Sequence, residues 1–304
     1  MIGAASKQKK ACEIAAKARD LGASMIRPGV RYEEVANVVE NSINEMGAGV
    51  AFPTNIAVNE IAAHFTPDSN DEVAFEKGDV VKIDVGAHIG GFIGDTARTV
   101  EVGTKKYQKL IQTSKHALDE AIATIKPGVD LGDVGGVIED VITEAGFKPI
   151  RNLAGHSIEK NCLHGALTIP NTKETTLGIV RRGDILAIEP FVTDGTKGRV
   201  KEGKKGGIYS FITKKNYDSK EARIIQHIVL TKNHWKFLPF CRRMLIREGL
   251  KPRTVDKGLK VLVKAGGLYQ YRILSEKTGG TVTQTEHTMH VTKTGCDVLT
   301  QGDG

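Results

Sequence analysis

The chain has no run of eighteen apolar residues, so no stretch of it could cross a bilayer as a helix. Its opening, Met-Ile-Gly-Ala-Ala-Ser-Lys-Gln-Lys-Lys, lacks an apolar core followed by a cleavage site, and a cytoplasmic location without membrane attachment is expected. Cysteine is sparse: Cys12, Cys162, Cys241 and Cys296 lie far apart and form no CxxC pair. A disulfide framework or a cysteine-held zinc is therefore not expected, and all four read as reduced thiols. What remains is an ordinary globular composition over 304 residues, 40% hydrophobic and 26% charged, which argues against disorder and suffices for one large domain or two smaller ones.

The net charge of +7 is unevenly spread. Residues 196 to 277 carry 21 Lys+Arg against 6 Asp+Glu, a local +15 that leaves −8 on the rest. A basic segment set into an acidic body can meet nucleic acid, a ribosome or another acidic surface, or be only a solvated face.

An internal repeat organises the first half of the chain. A shift of 99 places lays Pro28-Gly29-Val30 on Pro127-Gly128-Val129, Val35 on Val134, Glu40 on Glu139, Ile43 on Ile142 and Gly47 on Gly146. In each copy an amphipathic helix (about 8 to 26, then 105 to 125) stops at a Pro-Gly turn, and a second (about 32 to 46, then 131 to 145) ends at a glycine. Strand-like stretches follow, Val80 to Val85, Gly91 to Val100 and Asp184 to Val192. Two such units predict an α+β fold of two pseudo-symmetric halves, a curved antiparallel sheet covered by helices, with the ligand in a cleft between them. From about residue 215 to 275 the pattern changes to three helices (about 219 to 229, 239 to 247 and 253 to 265) and two strands around Gly280, a winged-helix-like plan inserted into the domain that spans 1 to 304.

The sharpest local signal is Val80-Val-Lys-Ile-Asp-Val-Gly-Ala-His-Ile-Gly-Gly-Phe-Ile-Gly-Asp-Thr-Ala-Arg-Thr-Val100. Pairing about a turn at Ile89-Gly90 sets Asp84 opposite Asp95, and like charges so placed beside a hydrophobic core destabilise a hairpin unless a cation lies between them. Gly155-His156-Ser157, Ile188-Glu189-Pro190 and Thr285-Glu286-His287 sit in similar settings. Together they supply four carboxylates and one imidazole, a hard donor set suited to a pair of Co, Mn, Fe or Zn ions and to hydrolysis. His64 and His164 fall one residue off the repeat register and are expected to face each other across the cleft, whereas His88, His116, His227 and His234 are expected to be surface or structural.

The order Asp84, Asp95, His156, Glu189, Glu286, with His64 and His164 beside it, resembles the dinuclear pita-bread aminopeptidases. Phe52-Pro-Thr-Asn, Asn59-Glu-Ile-Ala-Ala-His64, Gly155-His156 through Leu163-His164, Ile169-Pro-Asn171 and Gln284-Thr-Glu-His are similar to the type 2 methionine aminopeptidases of the archaeal kind, as is the long insertion between Glu189 and Glu286. The resemblance covers nearly the whole chain and implies removal of N-terminal methionine from nascent chains whose second residue is small. It implies that Asp84 chelates one metal, that His156 and Glu189 hold the other, and that Asp95 and Glu286 bridge the two, with the attacking hydroxide between them. His164 would bond the developing oxyanion, His64 would contact the scissile-bond backbone and be the group alkylated by fumagillin-type epoxides, and Glu189 would shuttle the proton. Phe52, Leu163 and Tyr271 would wall the methionine pocket. Asn161 stands where relatives often carry an aromatic residue, with Cys162 beside it, and both bear on the pocket's shape at that corner.

Two other readings stand beside this one: a proline-directed peptidase of the same fold, which shares the five ligands without the long insertion, and a non-enzymatic relative that binds RNA or ribosomes. The basic insertion is expected to tune substrate access or touch the ribosome, and not to read DNA sequence. Charge reversal at Arg242, Arg243 and Arg247 is accordingly expected to spare hydrolysis.

Overall fold

A computed structural model describes residues 3–175, 178–232 and 238–302. The first half comprises α1 (Ala4–Met25), α2 (Tyr32–Glu45), β1 (Gly49–Val58), β2 (Ile61–Ala63), β3 (Val80–Ile89) and β4 (Phe92–Glu101). The second has α3 (Gln108–Thr124), α4 (Leu131–Glu144), β5 (Lys148–Pro149), β6 (Ala154–Ser157), β7 (Thr168–Pro170), β8 (Ile185–Ile188) and β9 (Phe191–Thr193). There follow β10 (Val200–Phe211), α5 (Lys220–His227), β11 (Phe240–Cys241), α6 (Arg242–Arg247), α7 (Pro252–Lys264) and β12 (Leu268–Glu276), and the chain returns through β13 (Val282–Gln284), β14 (His287–Val291) and β15 (Cys296–Val298).

The 99-residue repeat is structural. α2 and α4 begin and end at equivalent positions, and each stops at a glycine with positive φ, Gly47 and Gly146. There the amide of the next residue returns to Ile43 O or Ile142 O, which closes the helix end. Each Pro-Gly turn also pairs with a later residue: Gly29 donates to Phe75 O and Phe75 to Val30 O, as Gly128 donates to Val180 O and Val180 to Val129 O. Nine residues beyond Phe75 comes Asp84, and nine beyond Val180 comes Glu189, so the two carboxylates are counterparts in the two halves.

The strand ladders are antiparallel, in the orders β1-β3-β4, β11-β10-β12-β2, β13-β9-β5 and β15-β14-β8-β6-β7. Helices α1 and α2 cover the first half and α3 and α4 the second, each pair over its own hydrophobic core. The halves meet where Ala97 and Glu286 exchange backbone hydrogen bonds, 2.9 Å and 3.3 Å long. Thr288 Oγ1 accepts from Asp95 N and donates to Asp95 O across the same seam.

Several expected details are different in the structure. In the β3–β4 hairpin Gly86, not Asp84, faces Asp95, and Asp84 faces Ala97. The turn is Gly90-Gly91, both with positive φ as a tight two-residue hairpin requires, which moves the register by two places. A two-residue shift keeps each side chain on its face, so the aspartates are diagonal neighbours on one surface. The stretch from Asp184 to Val192 is two strands, broken at Glu189-Pro190, because proline brings no N–H to a ladder.

No wing forms around Gly280. β12 pairs with β10 and β2, and β13 pairs with β9. Instead of folding back, the connection wraps the Glu276 carboxylate, which accepts from Thr278 N, Thr278 Oγ1 and Gly280 N. The expected helix from Pro239 begins only at Arg242, since Phe240 and Cys241 pair antiparallel beside β10 as β11. Among the described residues the insertion has no core of its own: Ala222, Ile225, Met244, Val255 and Leu262 are continuous with the core of the first half. Nor are Arg242, Arg243 and Arg247 free. Arg242 pairs with Asp256 and Asp68, while Arg243 and Arg247 pair with the buried Glu40. Reversing the charge of Arg243 would bury two like charges together, so the three arginines do not form one exchangeable basic face.

Helix α1 lies directly on β4 because Gly94 has no side chain. A Cβ there would stand 2.5 Å from Cys12 Cα and 2.7 Å from its amide nitrogen, both backbone atoms that cannot swing aside. Gly136, inside α4, has only ordinary contacts at 3.5 Å. Gly94→Ala should therefore cost about 1–3 kcal/mol by overpacking, and Gly136→Ala should add roughly 0.5–1 kcal/mol by helix propensity. Urea midpoints at unchanged m-value will show the opposite signs; equal shifts would refute the packing account.

Candidate metal centre

At the seam the structure gathers a cavity of about 130 Å³ whose lining includes Asp84, Asp95, His156, Glu189 and Glu286, together with His64, His164, Phe52, Leu163 and Tyr271. Every site residue expected from the sequence is there. Each half contributes two of the carboxylates: Asp84 from β3 and Asp95 from β4, then Glu189 just past β8 and Glu286 just before β14. His156 comes from β6, where Gly155 lets β6 lie against β8; a Cβ at Gly155 would stand 2.3 Å from Ala187 O. Asp95, His156 and Glu286 offer one ligand atom each within 4.8 Å of one another, and all three are buried.

The electrostatics of this group call for a cation. Burial pushes the Asp84 carboxyl up to about 7. Asp95, Glu189 and Glu286 are raised well above the usual carboxylate range by burial and then by neighbouring carboxylates, Asp84 for Asp95 and Glu189, and Asp95 first for Glu286, with Gln284 bonding Glu189 at 3.0 Å as a partial counterweight. Burial lowers His156 to about 4, so its ring is neutral near pH 7. Its Nδ1 lies 3.2 Å from Ser157 O, which can only accept, so Nδ1 holds the hydrogen and Nε2 presents a lone pair. That lone pair faces Asp95 Oδ2 at 3.6 Å and Glu189 Oε1 at 3.9 Å. With the carboxylates ionised, acceptor against acceptor is unfavourable without a proton or a metal ion between them. Asp84 Oδ1 and Asp95 Oδ1 are buried without a hydrogen-bond partner. The donor set therefore fits a divalent metal of the N/O-binding class.

The two remaining histidines lie beside the carboxylates. His164 packs edge-on against His156 at 4.5 Å between ring centroids, and burial, then His156 and His64, lower it to about 3. His64 has φ +64, a left-handed conformation that costs a non-glycine residue about 1–2 kcal/mol. It is held there by Tyr271 edge-on at 5.2 Å and by Nδ1 bonding Arg272 O at 3.2 Å. The carbonyl again places the hydrogen on Nδ1, leaving the His64 Nε2 lone pair free. Phe52 can lie beside the aspartates because it covers Gly86, where a Cβ would meet its ring at 2.2 Å.

Sequence reasoning missed Leu153, Phe191, Ile208 and Pro239 in the lining, all apolar residues with no chemical signature, whereas Asn55 closes the Phe52-Pro-Thr-Asn string. Asn161 and Cys162 are not part of it. Asn161 instead bonds Gly91 O at the hairpin turn, and the exposed Cys162 thiol bonds His164 O. Of the histidines set aside, His116 is exposed beside Glu120 and His88 is buried, while His234 lies outside the described residues.

Residues 6–232 match the model of metallopeptidase family M24. The chain belongs to this family. Over 292 residues it is 42% identical to the methionine aminopeptidase of Methanocaldococcus jannaschii, with 96% of this chain and 97% of that one covered. Among solved structures, the methionine aminopeptidase of Thermotoga maritima superposes with a TM-score of 0.71 at 26% identity, covering 99% of both chains. A thermophilic Arx1 superposes at 0.84 with 19% identity over 98% of this chain and 91% of that one, a likeness of fold alone. The architecture is thus the pita-bread fold of the family.

Stability against pH follows from the carboxylates. Above about pH 7 unfolded carboxylates have lost their protons and unfolded histidines most of theirs, while the folded, metal-free chain still holds protons on Asp95, Glu189, Glu286 and part of Asp84. The native state binds more protons, so stability must fall as pH rises above about 7. Below that window the buried histidines act in the opposite sense. Thermal unfolding in chelator should show this decline, and it should be shallower for Asp95→Asn. At pH 8 in chelator that variant should be at least as stable as the parent, with the order reversed by Mn or Co. A variant clearly weaker even in chelator would assign Asp95 a structural hydrogen bond instead.

Proposed function

We propose that the protein removes the N-terminal methionine from nascent chains and peptides whose second residue is small, as a type 2 enzyme working in the cytoplasm with two divalent ions. The observation that carries this reading is the convergence of four carboxylates, a lone-pair-bearing imidazole and two further neutral histidines in one cavity walled by Phe52, Leu163 and Tyr271. Asp84 would hold one ion, His156 and Glu189 the other, and Asp95 and Glu286 both. Such ions, Co, Mn, Fe or Zn, lower the pKa of water and polarise a carbonyl.

The chain's own groups do the rest. Phe52, Leu163 and Tyr271 receive the methionine side chain and exclude water from it. His164, neutral across the working pH range, donates an N–H to the carbonyl oxygen as negative charge gathers there. The His64 Nε2 lone pair accepts from the scissile-bond amide and keeps it aligned. Glu189, steadied by Gln284, takes the proton of the attacking water and passes it to the leaving amine. A long second side chain would meet the cavity wall and lose this alignment.

Contact with the ribosome is proposed on charge alone. Lys201, Lys204 and Lys205 on β10 and Arg253, Lys260 and Lys264 on α7 are exposed. These lysines and arginines suit phosphate, but no base-reading wing accompanies them, so DNA sequence is not expected to be read.

Release of methionine from Met-Ala-Ser and Met-Lys-Ser peptides by metal-loaded protein tests the substrate reading, with Ala-Pro peptides as the control for the proline-directed alternative. Equal rates on both methionine peptides, or preference for Ala-Pro, would refute it. His164→Ala should lower kcat by about two to three powers of ten with unchanged metal content. A fumagillin-type epoxide should add its mass to His64, since its Nε2 carries the free lone pair; modification elsewhere would undo that assignment.

A further inference from the structure

Phe52 and Asn55 both line the cavity although three positions separate them on β1, a spacing that sends side chains of a regular strand to opposite faces. An irregularity in the ladder makes it possible. Phe52 pairs with Gly86 and Asn55 with Asp84, so Pro53 and Thr54 together stand against Val85 alone. The bulge takes Thr54 away from β3, and its backbone groups bond elsewhere: Thr54 N donates to Glu40 Oε1 at 3.0 Å, and Thr54 O accepts from Thr66 Oγ1 at 2.9 Å.

Both partners belong to Arg243. Its guanidinium makes a two-pronged pair with Glu40, at 2.6 Å and 2.8 Å, and bonds Thr66 Oγ1 at 3.2 Å and Pro67 O at 3.2 Å. Arg243 is 1% exposed and Glu40 0%. Thr66 stands two residues after the strained His64, and Phe65 O between them accepts from Ile56 N of β1. Four residues before Arg243, Pro239 lines the cavity, and the neighbouring Leu238 packs with Phe52 and Leu163.

We propose that Arg243 is a positioning residue: through Glu40 and Thr66 it fixes the β1 bulge and the backbone at His64 against the Pro239 segment of the insertion, and so shapes the methionine side of the cavity. This rests on the functional reading above. Stability does not account for the cluster, because an apolar replacement of a buried ion pair is often as stable. Apolar side chains, however, could not satisfy the N–H and C=O that the bulge exposes. Of the metal-ligand groups only Asp84 stands on a strand paired with β1, while Asp95, His156, Glu189 and Glu286 are carried by other strands.

The test uses the full chain loaded with Mn, a Met-Ala-Ser peptide and free methionine. Arg243→Met leaves Glu40 a partner in Arg247, and Thr66→Val removes only the hydroxyl that joins Arg243 to Thr54. For the folded fraction of Arg243→Met, kcat/KM should fall about tenfold or more, with KM rising more than kcat falls. Thr66→Val should lose roughly threefold in kcat/KM. Metal content should be unchanged in both, and calorimetric affinity for methionine should weaken in parallel. The double variant Glu40→Gln, Arg243→Met should regain stability over the single variant without regaining the specificity constant. Parental kcat/KM and methionine affinity in the folded variants would overturn the proposal, and if Arg243→Met does not fold, parental values in Thr66→Val alone would do so. A parent that neither cleaves the peptide nor binds methionine would overturn the functional reading, and the proposal with it.

Discussion

Repulsion among Asp84, Asp95, Glu189 and Glu286 is the constraint on which the rest of the architecture depends. Four carboxyl groups buried in one space cannot all ionise in the absence of a cation, and burial, then the charges of Asp84, Asp95 and Glu189, hold protons on their neighbours. The neutral His156 sharpens the conflict by turning a lone pair toward two of them. Such a group is a net cost to folding unless it is discharged, and what discharges it also activates water for hydrolysis. Stability given up at the seam is thus convertible into metal affinity.

The repeat explains why the four carboxylates can be brought there at all. Each half delivers one from a helix-covered strand at the same distance beyond its Pro-Gly pairing, and each supplies a second at the seam, where Ala97 and Glu286 exchange backbone hydrogen bonds. The seam carboxylates are the two read as bridging. A symmetric scaffold places groups symmetrically, but the halves differ where chemistry needs a difference: the second half supplies the imidazole ligand, and only the first carries the long bulged strand β1.

The insertion belongs to this picture as a wall. It shares the first half's core, presents Pro239 to the cavity beside Ile208 of β10 and anchors itself through a buried arginine. In sequence it reads as a basic module because Arg242, Arg243 and Arg247 count toward its charge, yet all three face carboxylates once folded. Charge along a chain does not reveal which charges are already answered.

Much of the fold and the chemistry was legible in the residues: helix periodicity with its Pro-Gly and glycine stops, the duplicated plan, and acidic and histidine residues set among apolar strands. These are local signals, written at spacings of a few residues, and the resemblance to methionine aminopeptidases rests on them. The tertiary structure decided what depends on distant partners. It moved the hairpin by two residues because Gly90 and Gly91 take the turn, sent the strands around Gly280 to different neighbours because Glu276 captures the connecting amides, and drew Arg243 inward to Glu40. It also chose the apolar cavity walls Leu153, Phe191, Ile208 and Pro239. Those residues look like any other core residues in a sequence, since an apolar side chain is given its role by what it packs against and not by its own chemistry.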